Sequence, residues 1–263
     1  MKLAISGKGG VGKTTLAAAL SLLLVRRGHK VLALDADPDA NLASALGLSA
    51  EQQAQIVPIS RQVALIEART GAKVKQYGQI FKLNPEVSDI AGSYAVTHRG
   101  VNLLVLGAVQ QGGGGCACPE NILIKALVTD LVLFKNETLI MDMEAGIEHL
   151  GRGTARGVDS LLIVLEPGLS SVESTRRIMN LAAEIGLKDI RLVANKVAGQ
   201  RDEEFIRRAF PDASILGFIP YTSEIREADR PGATLLDSIR PELLSIFETI
   251  LNRLDSSEKV GNP

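Results

Sequence analysis

Tryptophan is absent from this 263-residue chain, and aromatic residues of every kind amount to 3% of it. Single-stranded nucleic acids are gripped by stacking bases on such rings, so that mode of binding is excluded. A basic surplus is also missing. The 29 Lys and Arg residues are balanced by 30 Asp and Glu, for a formal net charge of −1, which excludes the positive footprint of a general nucleic-acid binder. No apolar run approaches the roughly 20 residues that cross a bilayer. The first apolar run, residues 3–5, is too short for the core of a secretory signal. Lys2 stands where N-myristoylation requires glycine. The sequence therefore reads as cytoplasmic, with no nucleic-acid and no membrane partner. Cysteine is reduced to two residues, Cys116 and Cys118. Two thiols so close together make no disulfide framework and read better as a metal or redox site.

What is present is an apolar content of 46%, enough for one well-buried α/β domain. Short apolar runs alternate with helical patterns, the mark of a mostly parallel sheet flanked by helices. Strands are expected at 2–6, 30–35, 101–107, 138–142, 160–166, 190–195 and 214–219. Helices are expected at 13–27, 51–69, 119–134, 171–185, 202–210 and 235–254. In the last of these, Leu236, Ile239, Leu243, Phe247, Ile250 and Leu254 step by three or four and define one buried face. The stretch 70–100, after the helix expected over 51–69, gives only weak strand and turn signals. Residues 1–254 are expected to form a single domain, and the polar segment 255–263 a frayed tail. The glycine run 112–115 reads as a loop within that domain.

The strongest motif is Gly7-Lys8-Gly9-Gly10-Val11-Gly12-Lys13-Thr14, which fits the eight positions of a phosphate-binding P-loop between a strand and a helix. Glycines let successive backbone N–H groups turn toward phosphate oxygens. The helix opening at Lys13 adds its positive dipole end. Lys13 is placed to reach the β- and γ-phosphates, Thr14 to ligate Mg²⁺, and Thr15 to contact the α-phosphate. Lys8, a second lysine early in the loop, makes the segment resemble the deviant Walker A of the MinD/ParA/nitrogenase iron-protein class. In that class the extra lysine reaches the partner's nucleotide, so the resemblance implies a homodimer that closes around ATP.

Carboxylates follow two of the strands. Asp35-Ala36-Asp37-Pro38-Asp39-Ala40-Asn41 is no calcium loop, because the glycine and glutamate such a loop needs at its sixth and twelfth positions are Ala40 and Leu46. The segment resembles the switch I of the same class, which implies that Asp37 orients the attacking water and Asp35 supports it. Asp39 and Asn41 read as caps of the next turn. Residues 139–142 form an apolar strand ending in Asp142, the Walker B arrangement that delivers a carboxylate to the Mg²⁺ shell. Gly146 follows, placed to offer its N–H to the γ-phosphate in a switch II role.

The base is read from what is missing. GTPases of this architecture carry Asn-Lys-x-Asp, with the Asp on guanine. Here the segment is Asn195-Lys196-Val197-Ala198, so adenine is expected, with Asn195 on its edge. Pro220-Tyr221 resembles the segment that closes over the base in related ATPases.

Thiolates suit zinc, nickel, copper(I) and iron–sulfur clusters. Two ligands do not complete a four-coordinate shell, whereas a two-fold dimer brings the same pair from each partner. Further segments resemble CooC-type ATPases, which mature nickel-dependent carbon monoxide dehydrogenase. They are Gly115-Cys116-Ala117-Cys118-Pro119-Glu120-Asn121, residues 141–150 (MDMEAGIEHL), Arg152-Gly153-Thr154-Ala155 and Glu166-Pro167. The resemblance implies an ATP-dependent metallochaperone. Cys116 and Cys118 of both partners would hold one nickel or zinc ion, with ATP/ADP and magnesium as cofactors and apo carbon monoxide dehydrogenase as client. Only His29, His98 and His149 are present, so no histidine-rich tract exists for bulk nickel storage. His149, beside switch II, reads more readily as a packed or capping side chain than as a ligand. Two other classes stay open: an iron–sulfur carrier resembling the nitrogenase iron protein, and a MinD/ParA-type positioning ATPase. The acidic balance of residues 236–263 opposes attraction of that segment to an anionic membrane.

Overall fold

The strand residues alternate between two apolar faces, so the sheet they form has to be covered twice. The computed structural model describes residues 1–74, 76, 78–108, 119–147, 150–227 and 234–258. Its strands are β1 (Lys2–Gly7), β2 (Val31–Ala36), β3 (Val96–His98), β4 (Val101–Val105), β5 (Thr138–Met143), β6 (Ser160–Leu165), β7 (Ile190–Val197) and β8 (Ser214–Pro220). They build one sheet in the order β3-β4-β2-β5-β1-β6-β7-β8. Every neighbouring pair is parallel except β3 with β4. The expected α/β class and its mostly parallel sheet are thus observed.

Leu3 and Ile5 of β1, Val31 and Ala33 of β2 and Ile140 of β5 join a core with the helices Lys13–Arg26, Leu42–Ala45 and Pro241–Glu258. Their neighbours Ala4, Leu32, Leu34, Leu139 and Met141 face the opposite core, with the helices Val63–Thr70, Pro119–Leu133 and Leu169–Ile185. The result is three layers, helix on sheet on helix. Each fully buried Leu or Ile contributes roughly 1.5–3 kcal/mol to holding them together.

All the expected strands form, and the departures lie elsewhere. β3 was not anticipated. It is an exposed edge strand joined to β4 through Arg99 and Gly100, whose φ values of 48° and 83° make a two-residue hairpin turn. Such turns favour Asn-Gly or Asp-Gly, and Arg-Gly hid this one. The helix expected over 51–69 is three pieces: Ala50–Ala54, a 3-10 turn at Ile59–Arg61, and Val63–Thr70. Pro58 has no N–H to donate and sits extended between them. The helix expected over 235–254 is likewise two, Leu235–Ser238 and Pro241–Glu258. Ile239 is extended at the break, and Pro241 opens the second piece, where its missing N–H costs nothing. That second helix runs to Glu258, into the segment expected to fray.

Candidate nucleotide site

The P-loop is shaped by what surrounds its glycines. Gly7 ends β1 in register with Val164 of β6. Its φ is 150°, and a side chain there would come within 2.2 Å of the Val164 carbonyl oxygen. Gly12, at φ 98°, is left-handed, and a Cβ on it would lie 2.3 Å from Nδ2 of Asn195. The helix Lys13–Arg26 then begins with no side-chain cap and no acidic residue in its first turn. A buried helix usually finds such a cap. Here the first-turn amides and the positive end of the dipole face the loop with no side-chain cap among the described residues, as suits a bound anion. The same helix ends conventionally: Gly28 is left-handed, and the amides of Gly28 and His29 close on the carbonyls of Val25 and Leu24.

The acids gather at the carboxyl edge of the sheet. Asp35 of β2 and Asp142 of β5 are register partners on adjacent strands, and both are fully buried. The Asp35 carboxylate accepts from the amides of Leu42 at 2.9 Å and Asp37 at 3.3 Å, and so it shapes the loop that carries Asp37. Asp37 in turn lies 3.9 Å from the Lys13 ammonium. Burial pushes the Asp35 carboxyl up to about 7, against the lowering effect of the Leu42 amide, and the neighbouring Asp142 charge adds to the rise. Burial likewise raises Asp142 to about 6, while the Thr14 hydroxyl and the Lys13 charge pull it down. Among the described residues, neither oxygen of Asp142 has a hydrogen-bond partner of ordinary geometry, Thr14 included.

A buried carboxylate without a donor is costly unless a cation completes it. Asp142, with the Thr14 hydroxyl beside it, is an all-oxygen set that fits Mg²⁺, a hard ion that takes few protein ligands. When bound, that ion would neutralise charge on the phosphates.

Gly146, expected to face the γ-phosphate, is buried in this conformation. Its N–H donates to the Glu144 carbonyl at 2.7 Å. Its own carbonyl accepts from the Ser6 hydroxyl at 2.8 Å. Asn195 is also turned inward: its side-chain amide donates to the Val11 carbonyl at 2.7 Å, and its Oδ1 accepts from the Lys196 amide. Lys196 donates to the Gly10 carbonyl at 2.7 Å and pairs with Glu166 at 3.1 Å. Tyr221, two-thirds exposed, follows β8 at the same edge, and its amide bonds the Val197 carbonyl. Pro220 is paired with Val197 just before it.

The fold therefore brings together Gly9, Gly10, Val11, Gly12, Lys13, Thr14, Asp35, Asp37, Asp142, Gly146, Asn195 and Lys196. Sequence reasoning missed Ser6 and the pairing role of Glu166. Glu166 carried a usable signal, since it directly follows an apolar strand, as Asp142 closes one. Cys116, Cys118 and His149 lie outside the described residues. Among those described, no cluster of three or more metal-binding side chains occurs, and no helix is long and apolar enough to cross a membrane.

Comparison with known proteins agrees with this geometry. Residues 2–236 match the family model described as the CobQ/CobB/MinD/ParA nucleotide binding domain. The carbon monoxide dehydrogenase accessory protein CooC of Rhodospirillum rubrum is 42% identical over 99% of this chain and 100% of its own length. An uncharacterized ATP-binding protein of Methanocaldococcus jannaschii is 41% identical over 95% of this chain and 98% of its own. Among solved structures, the MinC:MinD cell division complex of Aquifex aeolicus aligns with a TM-score of 0.69 at 20% identity, covering 97% of this chain and 95% of that one. MinD of Pyrococcus horikoshii, complexed with Mg-ADP, gives 0.65 at 23% identity, covering 98% and 97%. These neighbours share the fold. The chain belongs to the CobQ/CobB/MinD/ParA nucleotide-binding family, within the MinD/ParA/CooC group of P-loop NTPases.

Proposed function

We propose that the chain is an ATP-driven metallochaperone that works as a homodimer. The observation that carries the ATPase part is the buried Asp142, unpartnered among the described residues, beside Thr14 and Lys13 at the foot of an uncapped helix. In this reading Lys13 holds the β- and γ-phosphates, and Thr14 and Asp142 hold Mg²⁺. Asp37 leaves the Lys13 ammonium to orient the attacking water. Gly146 exchanges its bond to Glu144 for the γ-phosphate, so hydrolysis is felt in the loop after β5. Lys8 is half-buried, and among the described residues no carboxylate pairs with it, whereas Lys13 and Lys196 each have one. A lysine left over in this way suits a second nucleotide, that of a partner copy.

The metal part rests on the two cysteines and on the full-length relative described as a carbon monoxide dehydrogenase accessory protein. Cys116 and Cys118 from two copies would offer four thiolates to one nickel or zinc ion, delivered to apo carbon monoxide dehydrogenase. The test is metal stoichiometry of the purified chain with and without ATP, together with the mass of the complex. One ion per dimer, lost in Cys116→Ala, supports the reading. No ion, or one ion per monomer, removes it and leaves the ATPase.

A second reading, a positioning ATPase of the MinD/ParA type, is favoured by the solved structures of MinD that share this fold. Strong ATP-dependent co-sedimentation with DNA or anionic vesicles would select it over metal delivery.

A further inference from the structure

We infer that Glu224 and Arg240 form a tether that holds the segment after β8 in place for the nucleoside half of the nucleotide, with Tyr221 as the residue that meets the base. The inference rests on the reading that the phosphate loop holds a nucleotide, and it deepens that reading by assigning what positions the base. Tyr221 stands at the rim of the site. Its amide donates to the Val197 carbonyl at 3.0 Å, one residue beyond Lys196, which touches the phosphate loop at the Gly10 carbonyl. Its ring is two-thirds exposed, an apolar face of the kind that stacks on a base. The helix that follows it, Ser223–Glu227, is five residues long. A helix of that length is not stable by itself and takes its position from tertiary contacts.

Glu224 supplies such a contact. Its Oε2 accepts from the Arg240 amide at 3.1 Å, and its Oε1 lies 3.1 Å from Nε of the same residue, a charge-assisted pair. Arg240 is a fixed point. The chain is extended at Ile239, and the Arg240 carbonyl then accepts from the amides of Leu243 and Leu244, so the helix Pro241–Glu258 opens on Arg240. That helix is seated in the core through Phe247, Ile250 and Leu251, all fully buried. An arginine side chain has no acceptor with which to cap a helix start. Here the carboxylate comes from Glu224, 16 positions earlier, and the positive end of the helix dipole favours its charge. The Glu224 amide in turn donates to the Thr222 hydroxyl at 3.2 Å, which fixes the turn between Tyr221 and the short helix. The anchored helix start, the carboxylate and the turn together set where Tyr221 stands. Glu224 and Arg240 act through that backbone and are positioning residues.

The experiment measures binding of Mg-ATP, Mg-ADP and inorganic tripolyphosphate with Mg²⁺. The proteins are the wild type, Glu224→Ala, Arg240→Ala, Arg240→Lys, Tyr221→Ala and the double variant Tyr221→Ala/Glu224→Ala, with thermal melts as a check on folding. Tyr221→Ala is expected to weaken both nucleotides by about tenfold, the loss of one stacked base, and to leave tripolyphosphate within about twofold of the wild type. Glu224→Ala and Arg240→Ala should show the same pattern, at about fivefold or more. Arg240→Lys, which keeps a charge beside Glu224, should recover part of the loss. In the double variant the loss should be no greater than in Tyr221→Ala alone, since a ring out of place and a ring removed forfeit the same contact. Equal losses for tripolyphosphate and the nucleotides in Glu224→Ala would make the pair a general structural contact and overturn the tether. Unchanged nucleotide affinities in Glu224→Ala and Arg240→Ala would also overturn it, as would losses that multiply in the double variant. In each of these cases wild-type ATP binding still sustains the nucleotide site. A wild type that binds none of the three ligands overturns that site, and the tether with it. Should Glu224→Ala not fold, a nucleotide-specific loss in Arg240→Ala supports the tether, and its absence counts against it.

Discussion

The Ser6 hydroxyl donates to the Gly146 carbonyl at 2.8 Å and lies 3.1 Å from that of Glu144, tying the end of β1 to the loop after β5. The two segments are joined at the point where one becomes the phosphate loop and the other the proposed switch. Ser6 is fully buried, so no water replaces its hydroxyl. Ser6→Ala leaves the Gly146 carbonyl without its donor and should cost about 1–3 kcal/mol of stability. Urea unfolding of the nucleotide-free protein checks this. ATP turnover should fall by more than ATP affinity, since the hydroxyl bonds the proposed switch and not the phosphates.

Lys13 and Asp37, held 3.9 Å apart, are assigned different jobs, and kinetics separates them. Lys13→Ala removes a preorganised cation from the developing phosphate charge. Turnover should drop by about a hundredfold or more, with affinity weakened too. Asp37→Asn keeps the shape and the backbone contacts of its loop. It should bind ATP nearly as well as the wild type while hydrolysing it at least about tenfold more slowly. Equal losses of affinity and turnover in Asp37→Asn would return this residue to a merely structural role.

The pH dependence of stability has a defined sign. Asp35 and Asp142 are raised in the folded chain, to about 7 and about 6, from an ordinary 3.8. Between roughly 4 and 6 the folded state therefore holds more protons at these sites than the unfolded state, and stability falls as pH rises, by up to about 1.4 kcal/mol per unit for each proton. His98, lowered by its burial and by Arg99, contributes the opposite slope below 6.5. The lowered Asp89 and Asp237 act below about 4 and leave this window clear. The measurement is thus a difference: in metal-free buffer, Asp142→Asn should lose stability less steeply than the wild type from pH 4 to 6. A steeper fall in the variant would reverse the assignment.

Much of this was legible in the residues. The strands are apolar runs of strand length, and the phosphate loop has fixed spacing, so both declare themselves locally. Asp35 and Asp142 stand at strand ends, and parallel register then brings them side by side. What was hidden depended on contacts between distant segments. Nothing near Asn195 in sequence says that its amide bonds Val11, 184 positions away. Gly146 was expected to face the γ-phosphate, yet its carbonyl is held by Ser6 of the neighbouring strand. Proline explains the two helix errors, at Pro58 and Pro241, where apolar periodicity alone ran through a break. β3 escaped because an edge hairpin turning on Arg99-Gly100 lacks the usual turn residues.

Lys8 gives the sharpest test of the proposed dimer. It belongs to the loop, yet no carboxylate among the described residues holds it, and so its charge is available to an anion from outside the chain. In an Asp37→Asn background, where bound ATP persists, the chain should run as a dimer at micromolar concentration with Mg-ATP and as a monomer with Mg-ADP when metal is withheld. Lys8→Ala added to that background should still bind ATP to each copy, because Lys13, Thr14 and Asp142 are untouched. Its ATP-dependent dimerisation should weaken by at least about tenfold, the loss of one charge-assisted contact per nucleotide. Lys8→Arg should keep part of it, as guanidinium also pairs with phosphate. Sedimentation of the variants at matched concentrations gives the answer. A Lys8→Ala protein that dimerises on ATP as strongly as its parent would place the contact between copies somewhere other than this lysine.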